Sequence, residues 1–224
     1  EEINKLISQV YEAKIKLQKT EMKALQAQIN PHFLYNSLSI INWKALEADN
    51  EEISRITLAL STYYRTSLNK GETMTIAANE IRNIDAYLQI QLIMHDNSFQ
   101  VIKEIQEDTL SYSVPKLILQ PLVENAIEHG LDVSEKEEKW LKISVCKEKD
   151  ALIMAVEDNG MGMSEEQAKS IITYRSKGYG VRNVNDRITL LYGEEYHLRV
   201  KSRQGEGCRI EIVIPVNKEE KRYE

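Results

Sequence analysis

No CxxC pair, no surplus of basic charge and no run of about twenty apolar residues occurs in this 224-residue chain. Cys146 and Cys208 lie far apart in strand-like runs, a pattern that excludes a disulfide framework or a thiolate metal site and reads as two reduced core residues. A net charge of −6 argues against a nucleic-acid-binding surface, because a phosphate backbone is neutralised by clustered Lys and Arg. No stretch is suited to a membrane-spanning helix and no signal peptide is visible. Glycine and proline are sparse, nine and four residues, so each marks a place where the chain turns, breaks or is approached closely.

What is present falls into two halves. The first residues already follow a heptad, with Ile3, Val10, Leu17 and Ala24 on one seam position and Leu6, Ala13 and Thr20 on the other. This reads as a truncated coiled-coil helix, with an ordinary amphipathic helix as the alternative. Up to about residue 97 all periodic segments have helical spacing. Leu25, Ile29, Phe33, Leu34, Leu38, Ile41 and Ala45 form one stripe. After a break at Asp49 and Asn50 comes a second, with Ile53, Ile56, Leu60 and Leu68; a third spans about 78–95 with Ile81, Ile84, Leu88 and Leu92.

From Phe99 the period changes to two. FQVIKEI reads as a strand, and VPKLILQPLVENAIEHG as a helix with Pro115 in its first turn and Gly130 closing it. KWLKISVCKEKDALIMAVEDNG and YHLRVKSRQGEGCRIEIVIPV read as hairpins, with the helical GVRNVNDRITLLYG between them. Hairpins separated by helices imply an α/β sandwich with a mixed sheet.

Three features of the second half belong together. Asp158-Asn159-Gly160-Met161-Gly162 follows a strand; an aspartate in an apolar pocket can accept a hydrogen bond from adenine's exocyclic amine, and flanking glycines let backbone approach a flat ring. Taken alone, the same residues are a turn. Gly178-Tyr179-Gly180 opens a helix, where exposed N–H groups and the positive dipole end favour phosphate. Neither GxGxxG nor GxxxxGK[ST] is present. Glu124-Asn125 places a polar pair on a helix that is otherwise apolar, where a hard Mg2+ between phosphate oxygens, a cap or an inter-helix hydrogen bond would each satisfy the Asn carbonyl.

In this order the three resemble the N, G1 and G2 boxes of the ATP-binding domain shared by sensor histidine kinases, gyrase and mismatch-repair ATPases. The resemblance implies ATP and Mg2+ as ligands, with adenine held by Asp158 beside Gly160 and Gly162, and Mg2+ by Asn125. It implies phosphates on Gly178, Gly180, Val181 and Asn183, a lid over 161–177, and Lys177, Arg175 or Arg182 as phosphate contacts. Two residues depart from the pattern: Pro121 replaces an Asn common one turn before the Mg2+ ligand, and Glu128 stands where a basic residue is common.

The remaining motif is INPHF. Asn30 as N-cap with Pro31 in the first turn is one reading; a continuous helix kinked at Pro31 is the other. In both, His32 faces water near Gln28 and Asn36. A neutral imidazole carries a nucleophilic lone pair at pH 7 and can attack a γ-phosphoryl group. No carboxylate lies within one or two turns on its face, so Glu124 is the candidate base or orienting acid. QINPHFLYNSL, YLQIQ and LQPLVENAIEHG together resemble the LytS/YesM-type sensor histidine kinases. That resemblance implies His32 as phospho-acceptor on a homodimeric helical domain, a response-regulator aspartate as recipient, and a role for Asn36 in orienting water for dephosphorylation of the regulator.

The expected fold is α+β, a helical dimerisation and phosphotransfer hairpin followed by the ATP-binding sandwich. The expected divisions are a coiled coil over 1–24, the helical domain over 25–97, the ATP-binding domain over 98–217 and a charged tail over 218–224. The expected setting is the cytoplasmic portion of a bacterial membrane sensor, reaching the membrane only through upstream segments. A nucleotide-gated ATPase in which Glu124 activates water, or a non-catalytic scaffold, are the alternatives.

Overall fold

The computed structural model describes residues 30–68, 72–173 and 179–216, so the expected coiled coil and charged tail lie outside the described residues. The chain divides between residues 71 and 72 into two compact units.

The first unit is a helical hairpin, α1 (Pro31–Glu47) and α2 (Glu51–Ser67). Asn30 is extended, with φ −72° and ψ 104°, and its side-chain oxygen accepts from the N–H groups of His32 and Phe33 at 3.1 and 3.2 Å. Pro31 therefore stands where a missing N–H costs nothing, and the helix starts there instead of running kinked through it. The turn at Asp49, with φ +50°, leads to a second cap, where the Asn50 side chain accepts from Ile53 N–H at 3.0 Å. Between the helices only Leu38, Ala45 and Ala59 are buried apolar residues; beside them Ser54 donates to Asn42 at 2.7 Å and Thr57 is buried. Phe33, Ile40 and Trp43 stay 71%, 64% and 65% exposed.

The second unit is built on a five-stranded sheet in the order β2-β4-β5-β7-β6. Its strands are β2 (Gln100–Ile105), β4 (Trp140–Glu148), β5 (Ala151–Asp158), β6 (Leu198–Arg203) and β7 (Gly207–Pro215). β2 and β4 are parallel and the other pairs antiparallel, which is the mixed sheet expected. In central β5 the alternation puts Leu152, Met154 and Val156 into the core against Ile188, Ile210 and Ile212. A two-stranded sheet, β1 (Met74–Ile76) with β3 (Ser113–Pro115), stands apart from the five. The helices are α3 (Ala77–Met94), α4 (Gln120–Asn125), α5 (Glu165–Thr173) and α6 (Tyr179–Tyr192).

Three expectations need correction. Pro115 ends a strand and does not open a helix: β3 pairs with β1, and α4 starts five residues later with Pro121 in its first turn. After Asn125 the helix widens into a π-helix, Ala126–Leu131, marked by Asp132 N–H donating to the carbonyl five residues back at 2.9 Å. Helical spacing assigns α3 to the helical side of a boundary at 97/98, yet it packs with the sheet unit. Its first N–H groups, on Ala77 and Ala78, donate to the carbonyls of Tyr112 and Leu110, and its Asp85 pairs with Lys103 of β2 at 2.6 Å. Ile84 and Leu88 enter the same core as the strands.

Met154 is fully buried on the central strand, so Met154→Ala should cost the second unit about 2–5 kcal/mol, read as a lower urea midpoint with an unchanged slope.

Candidate functional site: a buried carboxylate between glycines

Asp158 ends β5 on its core face and is 4% exposed. Its Oδ1 accepts from Gly160 N–H at 2.8 Å. Burial pushes the carboxyl up to about 6; the backbone N–H groups of Gly160 and Cys208 and the charge of Lys136 pull the other way. An ionised carboxylate can accept about four hydrogen bonds, which leaves acceptor capacity beyond the Gly160 bond that an exocyclic amine would fill.

Glycine on both sides makes the site possible. A Cβ on Gly130, in the π-helix, would lie 2.6 Å from Asp158 Oδ1, and one on Gly160 would lie 2.2 Å from the Gly130 carbonyl. The two backbones are thus in direct contact, and Met161 N–H donates to Gly130 O at 3.0 Å. Residue pattern marks Gly130 only as a helix end, and its part in the site depends on a tertiary contact. Asn159 fastens the turn to the start of β4, its side chain accepting from Trp140 N–H and donating to Glu138 O, both at 2.8 Å. Gly162 sits at φ +63°, where a Cβ would meet the Arg203 carbonyl at 2.1 Å.

The other expected residues fall on α4 and α6 or outside the described residues. Asn125 is half-buried at the junction of α4 and the π-helix, and its amide has no hydrogen-bond partner among the described residues. Glu124 accepts from Gln120 at 2.7 Å. Gly180 lies in the first turn of α6 against Pro121 of α4, where a Cβ would come within 3.1 Å of the proline ring. Val181 is buried in the core, leaving its backbone N–H as the group that can meet a phosphate, while Asn183 is exposed. Arg182 lies 3.5 Å from Asp186. Arg175, Lys177 and Gly178 lie outside the described residues; the segment expected as a lid contains α5.

In the first unit His32 is exposed in the first turn of α1, with Nδ1 3.4 Å from the amide of Asn36 one turn on. The amide's two ends exchange by rotation, so Asn36 can present its oxygen to an Nδ1–H.

The fold and this aspartate-and-glycine cradle define a nucleotide-binding α/β sandwich of the histidine-kinase and gyrase type. Residues 113–218 match the family described as histidine kinase-, DNA gyrase B-, and HSP90-like ATPase, and residues 20–99 match that described as histidine kinase. The chain belongs to the sensor histidine kinases. It is 36% identical over 97% of its length to sensor histidine kinase YesM of Bacillus subtilis, 34% identical over 89% to sensor protein LytS of Bacillus cereus, and 31% identical over 94% to sensor histidine kinase BtsS of Escherichia coli. It spans little more than a third of these relatives, from 34% to 37%. Among solved structures, the histidine kinase domain of the Erythrobacter litoralis EL346 blue-light activated kinase shares the fold with a TM-score of 0.50 at 17% identity. That likeness covers 89% of this chain and 94% of the other. The catalytic domain of histidine kinase ThkA gives 0.51 at 15%, over 66% of this chain and 98% of that one.

Because the folded carboxyl of Asp158 binds its proton more tightly than an unfolded one, its burial favours folding below the ordinary range near 3.8, and this contribution is lost as pH rises through about 6. An adenine amine favours the ionised form, so nucleotide affinity should fall as pH drops below about 6, with a proton released on binding near that pH. Calorimetry in buffers of different ionisation enthalpy measures both. Gly130→Ala should abolish nucleotide binding while the far-ultraviolet circular dichroism spectrum stays native.

Proposed function

We propose that this chain is the kinase portion of a two-component sensor: ATP bound at Asp158 phosphorylates His32, and the phosphoryl group passes to an aspartate of a response-regulator receiver domain. The observation that carries this reading is one chain holding both halves of the chemistry, a glycine-lined carboxylate suited to adenine and an exposed imidazole with an amide at its Nδ1.

The adenine amine donates to Asp158, and the first-turn N–H groups of α6, with Gly178 and Lys177 upstream, receive the phosphates. Asn125 offers an amide oxygen of the kind Mg2+ accepts, and the ion supplies charge neutralisation across the phosphate oxygens. In the tautomer that carries its proton on Nδ1, His32 keeps a lone pair on Nε2, which attacks the γ-phosphorus. A P–N bond forms, the P–O bond to ADP breaks, and the proton on Nδ1 leaves to a base, for which Glu124 is our candidate. After transfer, Asn36 is suited to orient water toward the phosphorylated regulator.

The exposed Phe33, Ile40 and Trp43 face supports a homodimer in which a second hairpin covers α1. Among the described residues no helix is long and apolar enough to cross a membrane. We place the chain on the cytoplasmic side of a membrane sensor, as the resemblance to full-length relatives suggests.

Incubation with γ-labelled ATP and Mg2+ should label the protein with acid-labile, alkali-stable phosphate, and His32→Gln should remove it. Steady phosphate release that survives His32→Gln would instead favour an ATPase in which Glu124 activates water. Asn36→Ala should retain autophosphorylation and slow dephosphorylation of the regulator by at least about tenfold; equal rates would overturn the role given to Asn36. Ile40→Glu with Trp43→Glu should give a monomer by analytical ultracentrifugation.

A further inference from the structure

Glu80 lies on α3, outside the nucleotide cradle, and is 2% exposed. Its Oε1 accepts from Leu117 N–H at 2.7 Å, and its Oε2 accepts from Ile118 and Leu119 at 3.0 and 3.4 Å. These are the donors just ahead of α4, whose N-cap Leu119 makes no side-chain cap of its own. A carboxylate from another helix thus anchors the backbone that leads into α4. Leu117 is held at φ +54°, a conformation that a leucine keeps only when its surroundings over-determine it. From the other side Arg187 of α6 donates to the Lys116 carbonyl, and its charge acts on Glu80. One carboxylate therefore joins α3, the approach to α4 and α6. Asn125 lies on α4 six residues beyond Leu119, and Gly180 lies two turns before Arg187.

We infer that Glu80 is a positioning residue for the phosphate end of the nucleotide site: through residues 117–119, and with Arg187, it sets where α4 and the first turn of α6 stand relative to Asp158. This inference rests on the nucleotide reading of the site.

The test is ADP binding to the full chain by calorimetry, with and without Mg2+, for wild type, Glu80→Gln, Arg187→Gln, the double variant and the control Asp85→Asn. Glu80→Gln should leave metal-free affinity within about twofold and reduce the Mg2+-dependent gain by about tenfold. Arg187→Gln should do the same, the double variant should lose no more than the worse single one, and Asp85→Asn should match wild type. Should Glu80→Gln fail to fold, Arg187→Gln carries the same reading. A folded Glu80→Gln or Arg187→Gln with the wild-type Mg2+ gain, or with equal losses at both ends, overturns the inference. Loss of the gain in Asp85→Asn overturns it as well, by exposing a general loosening of α3. Wild type that binds no nucleotide overturns the reading of the site itself.

Discussion

The second unit depends on tolerating a carboxylate inside its core. Asp158 closes the central strand on the side that Leu152, Met154 and Val156 fill with hydrocarbon, and burial raises its proton affinity enough to reach about 6. Such a group is a liability to folding unless donors surround it, and a tool for binding because they do not fully satisfy it. The neighbouring backbone is arranged around that tension. Gly160 donates to the carboxylate, Gly130 leaves room for it, and the π-wound turn holds these two backbones in contact. A regular α-helix continued through Ala126–Leu131 would change the register of each following residue by part of a turn.

The two units differ in how they are held. The sheet unit closes a large core with strands on one side and α3, α4 and α6 on the other. The hairpin encloses a thin seam in which Asn42, Ser54 and Thr57 sit beside a few small apolar side chains, while its largest apolar groups face outward. That division of labour suits a nucleotide domain that folds around its own core and a histidine-bearing hairpin that borrows part of its own.

Much of this was legible from residue pattern. β4 and β6 declare themselves by alternation and β5 and β7 by apolar runs, and the Asp158 to Gly162 run follows β5. What stayed hidden depends on contacts distant in sequence. Helix α3 has the same period as α1 and α2, and a period tells which face is buried, not what buries it. Glu80 carries no local signal of its role because the N–H groups it accepts from are 37 to 39 residues away. Pro115 reads as a first-turn residue, and only the pairing of β3 with β1 shows that it ends a strand while Pro121 enters the first turn of α4. The π-helix leaves no compositional trace, and its contact with Gly160 through Gly130 joins residues 30 apart in sequence.

The outward-facing aromatics of α1 have one more consequence. In the homodimer proposed above, a hairpin whose apolar surface is completed by another copy has no fixed melting temperature of its own, since association and folding share one equilibrium and mass action enters the balance. Abundance would then become a structural variable: the scarcer the protein, the larger the share of hairpins left half-covered, with His32 in the first turn of the helix that carries the exposed aromatics.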